Sequence, residues 1–340
     1  YTKGDIDGYE VEIVPAYSVD SGEDIKSSVD RTPFHRQWVN ENLSEEEKRE
    51  VVLLKAFLRG QELYGSTLRV QGFAGYLCEL LIAEYGSFEE LLREVVDWEE
   101  EEVIDPAGHH ETLPNYLREK FSDEKLVVID PVDPERNVAS VLSTENYARF
   151  VYSAWRYLQD PGEEFFFPEE VEAEREGLEA SAEGRGDFVM VEFLTPDLID
   201  DMLYPQLRRL LSRLETLMEE NEFRLFQTGF HVGEERIRIL FELFSDELPA
   251  MRKHLGPKVF HSQEHVENFT EKYGEVWVEG TRLATLVERE FTDAGALLED
   301  FLTGDLQEKG VPANLIPAVE GAEVKDLGFD SADWRKFLRD

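Results

Sequence analysis

Apolar and acidic positions alternate at the start of the chain. In "GYEVEIVPAY", residues 8 to 17, Tyr9, Val11 and Ile13 fall on one face and Glu10 and Glu12 on the other, the period of a strand. Pro15 ends it, because proline has no N–H for a ladder. With the preceding "KGDIDG", this predicts two short strands within residues 1–17, then a polar connector, "SVDSGEDIKSSVD". From Ser44 the period turns helical: the capping box Ser44-x-x-Glu47 leads into "KREVVLLKAFL". A second helix is predicted over about 73–85, and Ser87-x-x-Glu90 caps a third. "KLVVIDPVDPERNVA" reads as a short strand entering a proline-punctuated loop, and 146–158 as a helix stopped by "DPG".

The segment 169–185 is rich in Glu and poorly patterned, and is read as a connector. Beyond it the texture changes. "DFVMVEFL" alternates like a strand, and "DDMLYPQLRRLLSRLETLMEE" is a long amphipathic helix with a kink expected at Pro205. "FRLFQTGFHVGEERIRILFELF" forms a hairpin turning at Gly233. Strand, helix, strand, strand is half of a ferredoxin-like or RNA-recognition-type unit. More helix and strand fills the rest, without an internal repeat. The fold class is α+β.

Composition changes this picture in one respect. The chain has 340 residues, 41% hydrophobic and 11% aromatic, which is too apolar for disorder. Yet 75 acidic residues stand against 35 basic ones, a net charge of −40, spread along the whole length. A cytosol at molar salt, with a Debye length of only about 3 Å, screens such self-repulsion. The lone cysteine, Cys78, excludes an internal disulfide framework, and its apolar helical setting marks it as a buried structural thiol. With no apolar run of membrane-spanning length and no signal peptide ahead of the first strand, the expectation is a soluble, intracellular protein without a membrane partner.

Several stretches invite chemistry. "HSQEH" at 261–265 fits a His-x-x-Glu-His zinc spacing, but three fixed residues in five match cheaply by chance and no third ligand stands out. His109 and His110 lie in a polar loop. "LYGST" lacks the glycine spacing and lysine of a phosphate loop. Lys55 and Tyr64, nine residues apart in "KAFLRGQELYGS", place an ammonium and a phenol where both could reach a triphosphate; an exposed lysine and a packed tyrosine are the plainer alternative. In "DPVDPERNVA" a stiff loop carries Arg136, either as a reader of base edges or in a salt bridge to Asp130 or Asp133.

These pieces occur in a recognisable order. "EVEIVPAY", "SSVDRTPFH", "LLKAFL…LYGS", "GFAGYLCELLIAEYGSF", "VIDPVDPERNVA" and "FFFP", with "DDMLYPQL" further on, resemble the archaeal, class I CCA-adding tRNA nucleotidyltransferases. The match is dense over residues 8–168 and thinner after. The resemblance implies template-free addition of C, C and A to tRNA 3′ ends from CTP and ATP. It also implies Mg²⁺ held by three carboxylates and tRNA gripped at the acceptor stem and TΨC arm, and it allows a homodimer. By position, Glu12 matches the third carboxylate, where the family often has Asp. His35, Lys55 and Tyr64 match nucleotide-binding residues, and Arg136 matches the arginine that recognises C and A together with the RNA end. Ala74, where the family commonly shows Ser, and Arg36, in place of a second His, depart from the pattern. The Gly-Ser motif and the Asp/Glu-x-Asp strand of the family head have no counterpart, so the chain is expected to lack most of that head and to be inactive alone.

The domains expected are a remnant of a polymerase-β-like head at 1–30, a helical central domain at 31–168, the connector, and an α+β RNA-binding body and tail at 186–340. A non-catalytic RNA-binding module is the alternative. Basic islands that could meet RNA are Arg208, Arg209 and Arg213; Arg236 and Arg238; and Arg252, Lys253 and Lys258. The last set is assigned to the acceptor-stem or TΨC contact.

Overall fold

The computed structural model describes residues 2–7, 9–19, 26–168, 182, 184–260 and 262–326; the side chains at positions 3, 10, 12 and 326 fall outside that description. Most of the expected connector 169–185 therefore lies outside the described residues. The chain divides into two compact units, Tyr1–Glu170 and Val171–Asp340.

The first unit begins with an antiparallel hairpin, β1 (Thr2–Ile6) and β2 (Tyr9–Ile13), in which Glu12 pairs with Lys3. Three of its apolar side chains are open to solvent: Ile6 is 57% exposed, Tyr9 75% and Ile13 65%. Helices follow as α1 (Thr32–Asn42), α2 (Glu45–Gly60), α3 (Gly75–Tyr85) and α4 (Phe88–Val95). The Ser44 box closes in both directions, Ser44 Oγ accepting from the Glu47 N–H and the Glu47 carboxylate accepting from Ser44 N–H. β3 (Glu102–Ile104), α5 (Asn115–Lys120) and β4 (Leu126–Val128) form a small parallel pair with its crossover helix, and α6 (Thr144–Gln159) completes the unit. The core is built by α2, α3, α4 and α6 around Phe57, Phe73, Leu77, Leu81, Leu91 and Phe150, all at most 1% exposed. Cys78 is in it, and burial pushes its thiol up to about 12, so it is inert at neutral pH.

Two glycines are steric necessities. A Cβ on Gly72 would lie 2.0 Å from the Leu63 carbonyl oxygen, and one on Gly60 would lie 2.2 Å from that of Phe165. The first lets 63–65 and 72–73 pair as a pinched loop, with Phe73 N–H donating to Leu63 O.

Tyr17, Lys26 and Ser27, ahead of α1, are tied down by Asp30, which is 1% exposed. Its carboxylate accepts from the N–H groups of Tyr17 (2.8 Å), Lys26 (3.0 Å) and Ser27 (2.7 Å), and from the Ser27 hydroxyl. Burial would raise this carboxyl, but the Ser27 hydroxyl and the three amides outweigh it and hold it at about 2. A depressed carboxylate stabilises the fold above the unfolded value of 3.8 and loses that contribution as pH falls through about 2. The melting difference between the wild type and Asp30→Ala is therefore expected at pH 6 and absent near pH 2. A difference that persisted at pH 2 would contradict this.

The second unit is one βαββαβ sheet with an insertion. β5 (Asp187–Leu194), α7 (Asp200–Glu220), β6 (Leu225–Val232), β7 (Arg236–Leu243), α9 (Ala294–Phe301) and β11 (Glu323–Asp326) give an antiparallel sheet in the order β11-β5-β7-β6. Numbered within the unit this is 4-1-3-2, a complete ferredoxin-like order, so the second half follows the half legible in sequence. The insertion, between β7 and α9, is a second sheet, β8 (Met251–Lys258), β10 (Arg282–Glu288) and β9 (Trp277–Glu279) in the order β8-β10-β9, with α8 (Gln263–Tyr273) against it. A short α10 (Ile316–Val319) packs on β5. α7 is continuous across Pro205. Val191, Phe193, Leu207, Leu214, Ile239 and Phe241 share the main core. No helix among the described residues is long and apolar enough to cross a membrane.

Candidate functional site

The loop 130–136 leaves β4 and returns at once, Ile129 pairing with Asn137. Asn137 is buried and closes the loop's base: its side-chain oxygen accepts from the N–H of Val128 and of Ala139, each at 2.8 Å, and its amide donates to Leu126 O. Inside the loop, Asp130 N–H donates to Arg136 O, Asp133 N–H to Asp130 O, and Arg136 N–H to Asp133 O. Proline at 131 and 134 stiffens the rest.

Side chains from three other parts of the unit hold this loop. Arg31 donates to Asp133 at 2.8 Å. His109 and His110 each meet a loop carbonyl through Nε2, those of Pro131 and Pro134. On α5, Tyr116 and Lys120 donate to Glu135. The two histidines, featureless in the sequence, are braces.

Asp130, with no exposed side-chain surface, is the centre. Its Oδ2 accepts from Arg136 Nη1 at 2.7 Å and lies 3.0 Å from His35 Nε2; its Oδ1 accepts from Val132 N–H at 3.0 Å. Burial alone would raise the Asp130 carboxyl, yet the hydrogen bond and charge of His35, the Val132 amide and Arg136 hold it below the usual range. The ring of Tyr76, on the first turn of α3, stacks on His35 with centroids 4.0 Å apart. Burial, then the Asp130 charge, push its phenol well up, so it stays neutral. The structure thus brings His35 and Arg136 onto one oxygen, and the Arg136–Asp130 salt bridge, one of the two readings of Arg136, is present.

Lys55 and Tyr64 form a second group. A methyl group on Gly75 would lie 3.2 Å from the Tyr64 hydroxyl and 3.6 Å from Lys55 Nζ, so phenol and ammonium converge on the first residue of α3. Lys55 also donates to Glu79 at 3.1 Å, and the Arg59 guanidinium lies over the Tyr64 ring. At the N-terminus of α3 the cap residue is Ala74, whose methyl group makes no side-chain cap. First-turn N–H groups without a cap from that residue, and a nearby ammonium, suit an anion. The two groups share α3, since Tyr76 and Glu79 are three residues apart and lie on one face.

The other predicted residues are placed as follows. Glu12 sits on β2, its side chain outside the described residues. No group of three or more His, Cys, Asp or Glu able to hold a metal occurs among the described residues. His265 is exposed on α8, and His261 lies outside the described residues. Of the basic islands, Arg236 and Arg238 both bind Glu192, at 3.1 and 2.8 Å, and Arg213 donates to Lys309 O. On β8, Lys253 pairs with Leu286 and Arg252 with Val287, so the two point to opposite faces. Arg252 turns toward Glu222 and Lys253 toward Glu279. The bulge between the Arg282 and Ala284 pairings then returns Lys258 to the face of Lys253.

This arrangement can be set beside known proteins. The family described as "tRNA nucleotidyltransferase, second domain" matches residues 49–167, and "CCA-adding enzyme, C-terminal domain" matches 185–311. The CCA-adding enzyme of Methanocaldococcus jannaschii is 37% identical over 322 residues, covering 93% of this chain and 70% of the relative. That of Methanosarcina acetivorans is 36% identical over 343 residues, covering 98% and 73%. The CCA-adding enzyme of Halobacterium salinarum is 40% identical over 277 residues, covering 81% and 59%. With relatives this similar along nearly its whole length, the chain belongs to the archaeal CCA-adding enzymes, a family of tRNA nucleotidyltransferases.

Proposed function

We propose that the chain carries the nucleotide-binding neck, body and tail of an enzyme that adds C, C and A to the 3′ end of tRNA from CTP and ATP. The observation that carries this reading is convergence: four residues distant in sequence, His35, Lys55, Tyr64 and Arg136, gather along α3. In this reading Lys55, Tyr64 and the α3 N-terminus take the triphosphate, with His35 beside them. Arg136 meets the base with donors only, which suits the acceptor nitrogens of cytosine and adenine.

Glu12 would contribute one hard carboxylate oxygen to Mg²⁺, an ion that accepts few protein carboxylates and keeps substrate oxygens and water as its other ligands. Bound there, Mg²⁺ would lower the pKa of the attacking 3′-hydroxyl and neutralise charge on the phosphates. The strand pair of Glu12 belongs, in this proposal, to a polymerase-β-like sheet. A high-salt cytosol and a homodimer complete it.

At molar salt, counterion release contributes little, so tRNA contact relies on shape and hydrogen bonding, and few lysines are needed. Lys253 and Lys258, on one face of the inserted sheet, are assigned to that contact; Arg252, on the other, is assigned a structural pairing with Glu222. Replacing both lysines by alanine is expected to weaken tRNA binding about tenfold and to flatten the slope of log affinity on log salt by about 2. Equal weakening by Arg252→Ala would remove the distinction.

The test of the whole reading is addition to tRNA ending at the discriminator base, with labelled CTP and ATP and Mg²⁺ at molar KCl, by the complete polypeptide that carries this chain. Ordered C, C, A addition is expected. Tight tRNA binding without addition would instead support a binding module.

A further inference from the structure

We propose that Asp130 is a positioning residue for base selection, a buried carboxylate that fixes the plane of the Arg136 guanidinium; this rests on the reading that Arg136 meets the base. The geometry leaves Asp130 no freedom. Its side chain has no exposed surface, Oδ1 is held by the Val132 N–H at 3.0 Å, and Oδ2 by Arg136 Nη1 at 2.7 Å with His35 Nε2 at 3.0 Å. Its backbone is equally fixed, with Asp130 N–H donating to Arg136 O and Asp130 O accepting from Asp133 N–H. The Arg136 side chain, by contrast, is 36% exposed. One of its nitrogens is spent inward, and the rest of the fork remains for a ligand.

A fixed plane matters because donors alone do not discriminate. Cytosine and adenine each place an acceptor nitrogen next to an amino group. Uracil and guanine place an N–H there. A guanidinium that could swing would still find a uracil or guanine carbonyl to bond, since arginine offers five N–H groups in a fork. Locked at Nη1, the fork is directed at the ring-nitrogen position, and a uracil or guanine N–H is left facing another donor, unpaired and desolvated. The same Oδ2 meets His35, so displacement at the triphosphate end would be felt at the base end through one atom.

The experiment uses Asp130→Asn in the complete polypeptide, measuring addition of CMP, AMP and UMP under single-turnover and steady-state conditions. The preference for CTP over UTP is expected to fall about tenfold, the worth of one oriented hydrogen bond, mostly through KM for CTP and with kcat less changed. Arginine side-chain ¹⁵N spectra should show restricted rotation of the Arg136 guanidinium in the wild type and freer rotation in the variant. Because the carboxylate is buried, a second variant guards against loss of folding in Asp130→Asn. Asp130→Glu then serves: it keeps the charge but moves the oxygens by one methylene, and the same loss of preference is expected. An equal loss for all three nucleotides with the preference kept, in either variant, would make Asp130 merely structural and overturn the proposal. A wild type that does not prefer CTP over UTP would instead overturn the functional reading beneath it, while the spectra would still report whether Asp130 locks Arg136.

Discussion

Replacing Glu12 by alanine is expected to lower nucleotide addition at least about a thousandfold while leaving tRNA affinity within about twofold. The size follows from where the effect falls: a ligand group used only in the reacting complex appears in kcat, not in binding. Phosphoryl transfer depends chiefly on positioning and charge neutralisation, and single groups in such sites account for factors of about 10³. β2 pairs with β1 through Glu12 and Lys3, and the neighbouring Tyr9 and Ile13 are exposed on the same short hairpin. Glu10, two residues away and therefore on the same strand face, is the internal control. Alanine there should leave addition near the wild-type level. Glu12→Asp tests the extra methylene: an aspartate that matches or exceeds the wild type would show that the family's more usual residue fits this strand. Activity surviving Glu12→Ala would remove Glu12 from the site, whatever becomes of the rest.

Much of this was legible from local pattern, and the remainder was not for identifiable reasons. The capping residues Ser44 and Ser87 form the bonds their spacing promises, because a cap is a contact over three residues. The strand, helix and hairpin from Asp187 to Leu243 appear in order, each long enough to show its period. The short strand β4 is legible ahead of its proline loop, but its parallel partner β3 could not be read, since three residues carry no period. Nor could the insertion between β7 and α9: "MRKHLGPK" contains Gly256 and Pro257, which demote a strand, and its charges drew it into the list of basic islands. At the site, Arg136 with Asp130 was foreseeable over six residues. Its link to His35, 95 residues away, was not, and neither were the braces His109 and His110. Those are tertiary contacts between polar side chains, for which sequence has no periodicity.

Arg185→Ala is expected to cost the second unit about 3–5 kcal/mol, the loss typical of breaking one side of a buried ion pair. Glu242 is 0% exposed near the C-terminal end of β7, on the sheet face opposite the Ile239 and Phe241 core. Arg185 meets it in the two-pronged manner open to a guanidinium, Nε to Oε1 at 2.8 Å and Nη2 to Oε2 at 2.5 Å, and also donates to Gln227 at 2.9 Å. Alanine leaves a carboxylate that can neither reach water nor recover these bonds. Urea unfolding followed by a probe in this unit should show the midpoint fall, and the melting temperature should drop by roughly 10 °C. Salt separates this pair from the others. At molar salt the exposed pair Lys253–Glu279, with both side chains nearly half exposed, is screened to little effect, whereas the buried pair is screened far less. Arg185→Ala should thus be nearly as costly in 3 M KCl as in dilute buffer, and Lys253→Ala close to neutral in both. The double change Arg185→Met with Glu242→Leu should recover most of the loss, since an apolar pair removes the stranded charge. If Arg185→Ala proves neutral, Glu242 must be finding water, and the sheet's second face would be wetter than the 0% exposure of Glu242 implies.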